Sequence, residues 1–344
     1  MVRLDLNRRA VMALGLALAA AGPAAAQTVE EFYAGNTVTL IISAAPGGAS
    51  DFFGRQFAPF LARHIPGQPQ VIVENLPGAS GMTAALQLQD NAPRDGTVIA
   101  LLQRNNFYLP LVLEENAAFD PQAVSWIGSL NKENYTVIAW QDAPVETADD
   151  LFTTPITIGA TSFANENRTF PAMMNEYFGT QFQIIAGYEG NEEVGLAMER
   201  GEVQGRMQTV NSLLAGSEAA WLQEGQIKVL MQVAAEPSPD FPDVPMITDF
   251  SDDPEVLALA DFFLKPLVAG RPFAVPPEVP EDRVEALRAA FDAAAADPEF
   301  LAVMEESNSL VEPITGAEIE AIIDDLYATP PEVLEKVTAL LTPQ

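Results

Sequence analysis

The stretch Val38 to Asp51 (VTLIISAAPGGASD) constrains this chain more than any other. Thr39, Leu40, Ile41 and Ile42 are strand-favouring and uncharged, as in a strand covered on both faces. The run Val38 to Ser43 then meets Pro46-Gly47-Gly48. Glycines lack Cβ atoms, so backbone N–H groups there can approach something small. Ser50 and Asp51 suit the first turn of a helix, Asp through its charge at the positive end. A strand running into free N–H groups and a helix N-terminus is a ready site for an anion. Ala45, Gly47, Gly48, Ala49 and Ser50 are therefore candidate ligand contacts.

The device recurs. A second strand, Val71-Ile72-Val73, leads through Pro77 into Gly78, Ala79, Ser80 and Gly81, then into a helix from Met82 to Gln89. A third, Val98 to Leu102, ends in Gln103-Arg104-Asn105-Asn106. Three βα units in a row thus present polar loops on one edge, and in parallel α/β sheets ligands bind beyond the carboxyl ends of strands. Arg104 and Asn105 join the candidates; Arg104 either reaches a ligand carboxylate or stays solvated. Arg55 is read instead as the i,i+4 partner of Asp51.

The alternation continues. Strands are expected at Trp126–Leu130, Tyr135–Trp140, Ile156–Gly159, Phe182–Ile185, Val203–Met207 and Lys228–Val233. Helices are expected at Arg168–Phe178 and Glu192–Arg200, then at Pro254–Leu264, Asp282–Ala295, Pro298–Ser307, Gly316–Tyr327 and Pro331–Leu341. Gln208 and Asn211 follow a strand and either bind ligand or cap the next helix. A length of 344 residues exceeds one ordinary domain and fits two lobes. The expected division is residues 27–125 plus 234–344 in lobe one and 126–233 in lobe two.

Residues 1–26 read as a secretion signal. Arg3, Arg8 and Arg9 precede an apolar run, Ala10 to Ala21, and Pro23-Ala24-Ala25-Ala26 places the cut after Ala26. The pair Arg8-Arg9 leaves general and twin-arginine export both open. The expected location is the periplasm. With no cysteine, the chain has no disulfide, no thiolate chemistry and no lipoprotein anchor. Its one histidine, His64, excludes a multi-histidine metal site. The net charge of −31 argues against nucleic acid and anionic membranes as partners. No phosphate loop, dinucleotide fingerprint, nucleophile elbow or ordered calcium loop is present. The reading is therefore a non-enzyme with no cofactor and no metal; the remaining catalytic alternative is an exported hydrolase using carboxylates.

Four motifs resemble one family. LIISAAPGGASDFFGRQFA carries Pro46, Gly47, Gly48, Asp51 and Arg55; VIVENLPGASGMTAA carries a Val-Glu-Asn-x-Pro-Gly-Ala-x-Gly signature from Val73 to Gly81. Pro93-Arg94-Asp95-Gly96 and Phe241-Pro242-Asp243-Val244-Pro245 follow at fitting spacings. The chain resembles the Bug family, the extracytoplasmic solute receptors of tripartite tricarboxylate transporters. The resemblance implies a type II-like, two-lobed periplasmic binding protein with a ligand cleft between the lobes. It implies capture of a small organic solute, a carboxylate, by cleft closure in a monomer that serves membrane transporter subunits. A periplasmic sensing module is the alternative. By position, Ala45 to Ser50 and Gly78 to Gly81 would form one jaw. Thr161, Ser162 and Asn165 would face them, with Tyr188, Gly190, Gln208 and Asn211. Here Glu189 replaces a common lysine, Gln208 a frequent aspartate, and Ala44 and Ala45 an aromatic residue and a proline.

Overall fold

Alternate residues of the first strand feed two different cores, which is what its unbroken apolar run demands. The structure, a computed structural model, describes residues 27–114, 118–161, 165–215 and 218–342. The expected signal over residues 1–26 and the candidate Ser162 lie outside them. Strand β1 (Thr37–Ile42) sends Val38, Leu40 and Ile42 into one buried cluster and Ile41 into another. β2 (Gln70–Asn75) and β3 (Val98–Leu101) flank it in parallel. β4 (Ser125–Ser129), β10 (Pro272–Val275) and β11 (Ile314–Thr315) complete a sheet ordered β11-β4-β10-β3-β1-β2, with β10 antiparallel to both neighbours.

The second sheet repeats the plan. β5 (Tyr135–Trp140), β6 (Ile156–Ala160), β7 (Phe182–Ala186), β8 (Gly205–Thr209) and β9 (Ile227–Val233) are ordered β7-β6-β8-β5-β9. β6 pairs in parallel with β7 and β8, and β5 is antiparallel to β8 and β9. Each sheet therefore has three parallel strands, then an inserted antiparallel one. In the first that strand comes from late in the chain; in the second it arrives from β4 through residues 130–134. This is the two-lobed α/β architecture expected.

Packing explains the local choices. Phe57, on the helix Ala49–His64, meets Phe273, Phe291 and Phe300 edge-on at 5.1–5.5 Å, so one ring joins that helix to β10 and to the helices Glu281–Ala295 and Pro298–Glu306. β8 starts two residues later than its hydrophobic pattern suggests. A Cβ at Gly205 would lie 2.4 Å from the Ile138 carbonyl oxygen, so only glycine permits that pairing with β5. The two-turn helices Val210–Ala215 and Glu218–Gln223 escape sequence reading because so few residues show no period. No helix among the described residues is long and apolar enough to cross a membrane.

Candidate ligand-binding cleft

Each parallel strand of the first sheet delivers one part of a cavity at its carboxyl end. Ser43 follows β1, Gly78 to Gly81 follow β2, and Gln103, Arg104 and Asn105 follow β3. Asn165 and Glu166 close it from the second sheet, just after β6. The space is about 270 Å³. That is near the lower end of the ~300–1,000 Å³ usual for ligand pockets, which suits a small solute.

The loop after β2 is backbone under tension. Gly78, Ala79, Ser80 and Gly81 have φ of 135°, 46°, 54° and 89°. Left-handed backbone costs a non-glycine residue roughly 1–2 kcal/mol, and two such residues in succession cluster where chains clamp ligands. Around the cavity three polar oxygens lack protein partners: Ser43 Oγ, Asn105 Oδ1 and Asn106 Oδ1. Ser43 is 3% exposed, so its hydroxyl is buried in the lining of the cavity. Asn106 is oriented by its Nδ2, which donates to the Ser80 carbonyl at 3.4 Å.

Arg104 is tied across the cleft. Its Nε donates to Glu166 Oε1 at 3.0 Å, and its Nη2 bonds Glu166 Oε2. Nη2 also donates to the Tyr135 hydroxyl at 3.0 Å, Nη1 to the Gly270 carbonyl at 3.3 Å. Tyr135 in turn donates to Glu166 Oε2 at 2.9 Å. Burial raises the Tyr135 phenol, and the Glu166 carboxylate raises it further, so it remains a donor.

The remaining candidates are placed as follows. Ala45, Gly47, Gly48 and Ala49 are exposed and Ser50 half-buried, beside the cavity but outside its lining. Asn165 lines the cavity, with Oδ1 accepting the Asn167 N–H at 3.0 Å as a helix cap. Thr161 gives both its N–H and hydroxyl to Asn167 Oδ1, each at 3.2 Å. Tyr188 packs against the cluster around Val194, and Gly190 is the N-cap of the helix Asn191–Glu199. Gln208 is buried, its Nε2 3.1 Å from both oxygens of Glu218. Asn211 is half-buried in its short helix. Three lining residues escaped sequence reading: Ser43, Gln103 and Glu166. The strand-end rule that found Arg104 also points to Ser43 and Gln103; nothing local marks Glu166.

The Pro-Gly-Gly loop is pinned from behind. Asp51 Oδ2 accepts the Gly47 N–H at 2.9 Å, and Oδ1 takes Arg55 Nε and Asn75 Nδ2, each at 2.8 Å. Asn75 also reaches the Ala44 carbonyl at 3.0 Å. The expected Asp51–Arg55 pair is thus part of a staple joining the loops after β1 and β2. Burial by itself would raise the Asp51 carboxyl; the Gly47 N–H, Asn75 and Arg55 outweigh it and hold it below the carboxylate range. The staple is complete above the ordinary pKa of about 3.9 and is lost as pH falls through the depressed value. Asp51→Ala should cost about 2 kcal/mol near neutrality. Its deficit against wild type should close in more acidic solution, as read by urea denaturation across pH; a pH-independent deficit would refute the staple.

With this geometry in view, comparison with known proteins gives a consistent family. The model of the tripartite tricarboxylate transporter family receptor matches residues 54–338. A UPF0065 protein from the gbd 5' region of Cupriavidus necator is 29% identical over 247 residues, 70% of each chain. A TctC solute-binding protein from Polaromonas superposes with a TM-score of 0.68 at 20% identity, covering 89% of this chain and 97% of that one. An R. palustris protein solved with adipate superposes at 0.65 with 16% identity, covering 89% and 97%. The family pattern runs through both sheets and both sides of the cavity, and this chain belongs to the tripartite tricarboxylate transporter receptor family, whose members are periplasmic solute-binding receptors.

Proposed function

We propose that this receptor captures a small organic acid in the cavity between its lobes and presents the closed form to membrane transporter subunits. The carrying observation is convergence: loops after β1, β2 and β3 of one sheet and after β6 of the other meet around a single space. The left-handed Gly78–Gly81 loop and the unpaired Ser43 and Asn105 oxygens support the same reading. So does the adipate held by a protein of the same fold. Residues 1–26 would direct export and be removed after Ala26. The work is binding, without turnover. Closure is a population shift, driven by contacts that exist only when both lobes engage the solute.

A thermal-shift screen of mono-, di- and tricarboxylates, aromatic acids and neutral solutes tests this. A solute at a hundred times its Kd should add about 2.7 kcal/mol to stability. Cleft binding requires that shift to be largely lost, falling to about 0.4 kcal/mol, when Gly81 is replaced by valine. A shift that survives the replacement in full, or chemical conversion of the solute, would overturn the proposal.

A further inference from the structure

We infer that the cavity takes a small solute bearing no more than one negative charge, and that Glu166 sets the limit by occupying Arg104 from within the protein. The inference rests on the cleft reading above and narrows its ligand.

Arg104 is the only cation lining the cavity among the described residues. Four of its five N–H donors are spent: two on Glu166, one on Tyr135 and one on the Gly270 carbonyl. Glu166 is 9% exposed and sits in the first turn of the helix Glu166–Met173, where the helix dipole also favours its charge. The fork-to-fork geometry is the one a ligand carboxylate would adopt on an arginine. Here the protein supplies that carboxylate itself. The lining therefore carries one positive and one negative group and no net charge.

A solute with two carboxylates would have to break this pair, leaving Glu166 buried with only Tyr135, or else place its second charge beside Glu166. Both are unfavourable where water is largely excluded. A singly charged solute avoids the conflict, and its other end meets acceptors: the Glu166 carboxylate and the unpaired oxygens of Ser43 and Asn105. That end is best filled by a hydroxyl or N–H donor. The limit sets this cleft apart from its structural neighbour, which holds the dicarboxylate adipate.

Matched pairs that exchange one carboxylate for a neutral group test the limit by titration calorimetry: 3-hydroxybutyrate against malate, and 6-hydroxyhexanoate against adipate. Wild-type protein should favour the singly charged member of a pair at least ten-fold. Glu166→Gln keeps the side-chain shape and a carbonyl oxygen for Arg104, but frees its charge. The dicarboxylate should then gain at least ten-fold and the preference should shrink or invert. A wild-type preference for the dicarboxylate, or an unchanged ratio in Glu166→Gln, would overturn the limit while leaving the cleft intact. Failure of all four acids to bind the wild-type protein would overturn the organic-acid cleft itself, and the limit with it. The wild-type comparison needs no variant, so an unstable Glu166→Gln does not shelter the inference.

Discussion

Gly81→Val should weaken solute binding roughly a hundred-fold, equivalent to about 2.8 kcal/mol, and leave a folded protein. Two effects act together. Gly81 has φ of 89°, which a β-branched residue adopts only under strain. A Cβ there would lie 2.5 Å from Gln103 Cγ and 3.1 Å from Asn106 Oδ1, and both loops border the cavity. Backbone strain and overpacking should together remove about 2–4 kcal/mol of stability, within the 5–15 kcal/mol typical of native proteins. The shifted loop would then close part of a space of only about 270 Å³. Ser80→Gly is the control. It relaxes a left-handed residue without adding atoms, so its stability should stay within about 1 kcal/mol of wild type and binding should persist. Calorimetric titration beside urea denaturation reads both. If Gly81→Val binds normally, the cavity is not the site.

The contrast with the first loop is instructive. Gly48 has φ of −82°, open to any residue, and its added Cβ would meet only the Ala45 carbonyl oxygen at 3.9 Å. Gly47 has φ of 90° with open space around it. Both glycine loops look alike in sequence, but Gly81 of the second is buried against Gln103, whereas the glycines of the first are exposed. What distinguishes them is the third strand's loop, which lies across the second and places Gln103 and Asn106 beneath Gly81. No property of residues 45–81 encodes that neighbour.

Local regularities in the sequence therefore carried the architecture. Most strands were visible because their apolar runs are bounded by Gly, Pro or amide clusters, whereas the two-residue β11 was not. Asp51–Arg55 was visible because its spacing is one helical turn. The expected division starts lobe two at residue 126, but β4 stays paired with β10 through Ser129, so the chain leaves the first sheet at residues 130–134. The cleft chemistry was less legible because it is made by distant pairs. Arg104 and Glu166 are 62 residues apart, and Glu166 is an ordinary helix-start acid until the lobes face each other. Gln208 reads from the sequence as either a ligand group or a helix cap; nothing near it in sequence shows that the short helix beginning at Glu218 brings a carboxylate onto its Nε2. Ser43 is an ordinary strand-end hydroxyl in sequence; its burial without a partner appears only in the fold.

The largest stability effect should come from the crossing between the two sheets, at Arg271→Met. Arg271 and Glu133 are 5% and 2% exposed and bonded through Nη1 and Oε1, where the chain passes from β4 to β5. Asn131 Nδ2 donates to the same oxygen at 3.1 Å, and the Arg271 guanidinium lies 3.9 Å from the centre of the Phe53 ring. Methionine keeps much of that packing but strands a buried carboxylate. Removing one partner of a buried pair costs about 3–5 kcal/mol. Burial would raise the Glu133 carboxyl, but Arg271, Arg104 and Asn131 outweigh it and hold it low. In the wild type this contribution is complete above the unfolded pKa of about 4.3 and is lost only as pH falls through the depressed value. Without Arg271, burial dominates and the folded pKa moves above the unfolded one. The variant should then gain stability as pH falls from neutrality toward the unfolded pKa, where wild-type Glu133 contributes no slope. Urea denaturation at a series of pH values reads the difference, and parallel curves would refute it. Glu133→Leu with Arg271→Met should recover most of the loss, because no charge is left buried. Recovery would also show that this crossing needs packing more than it needs its ions.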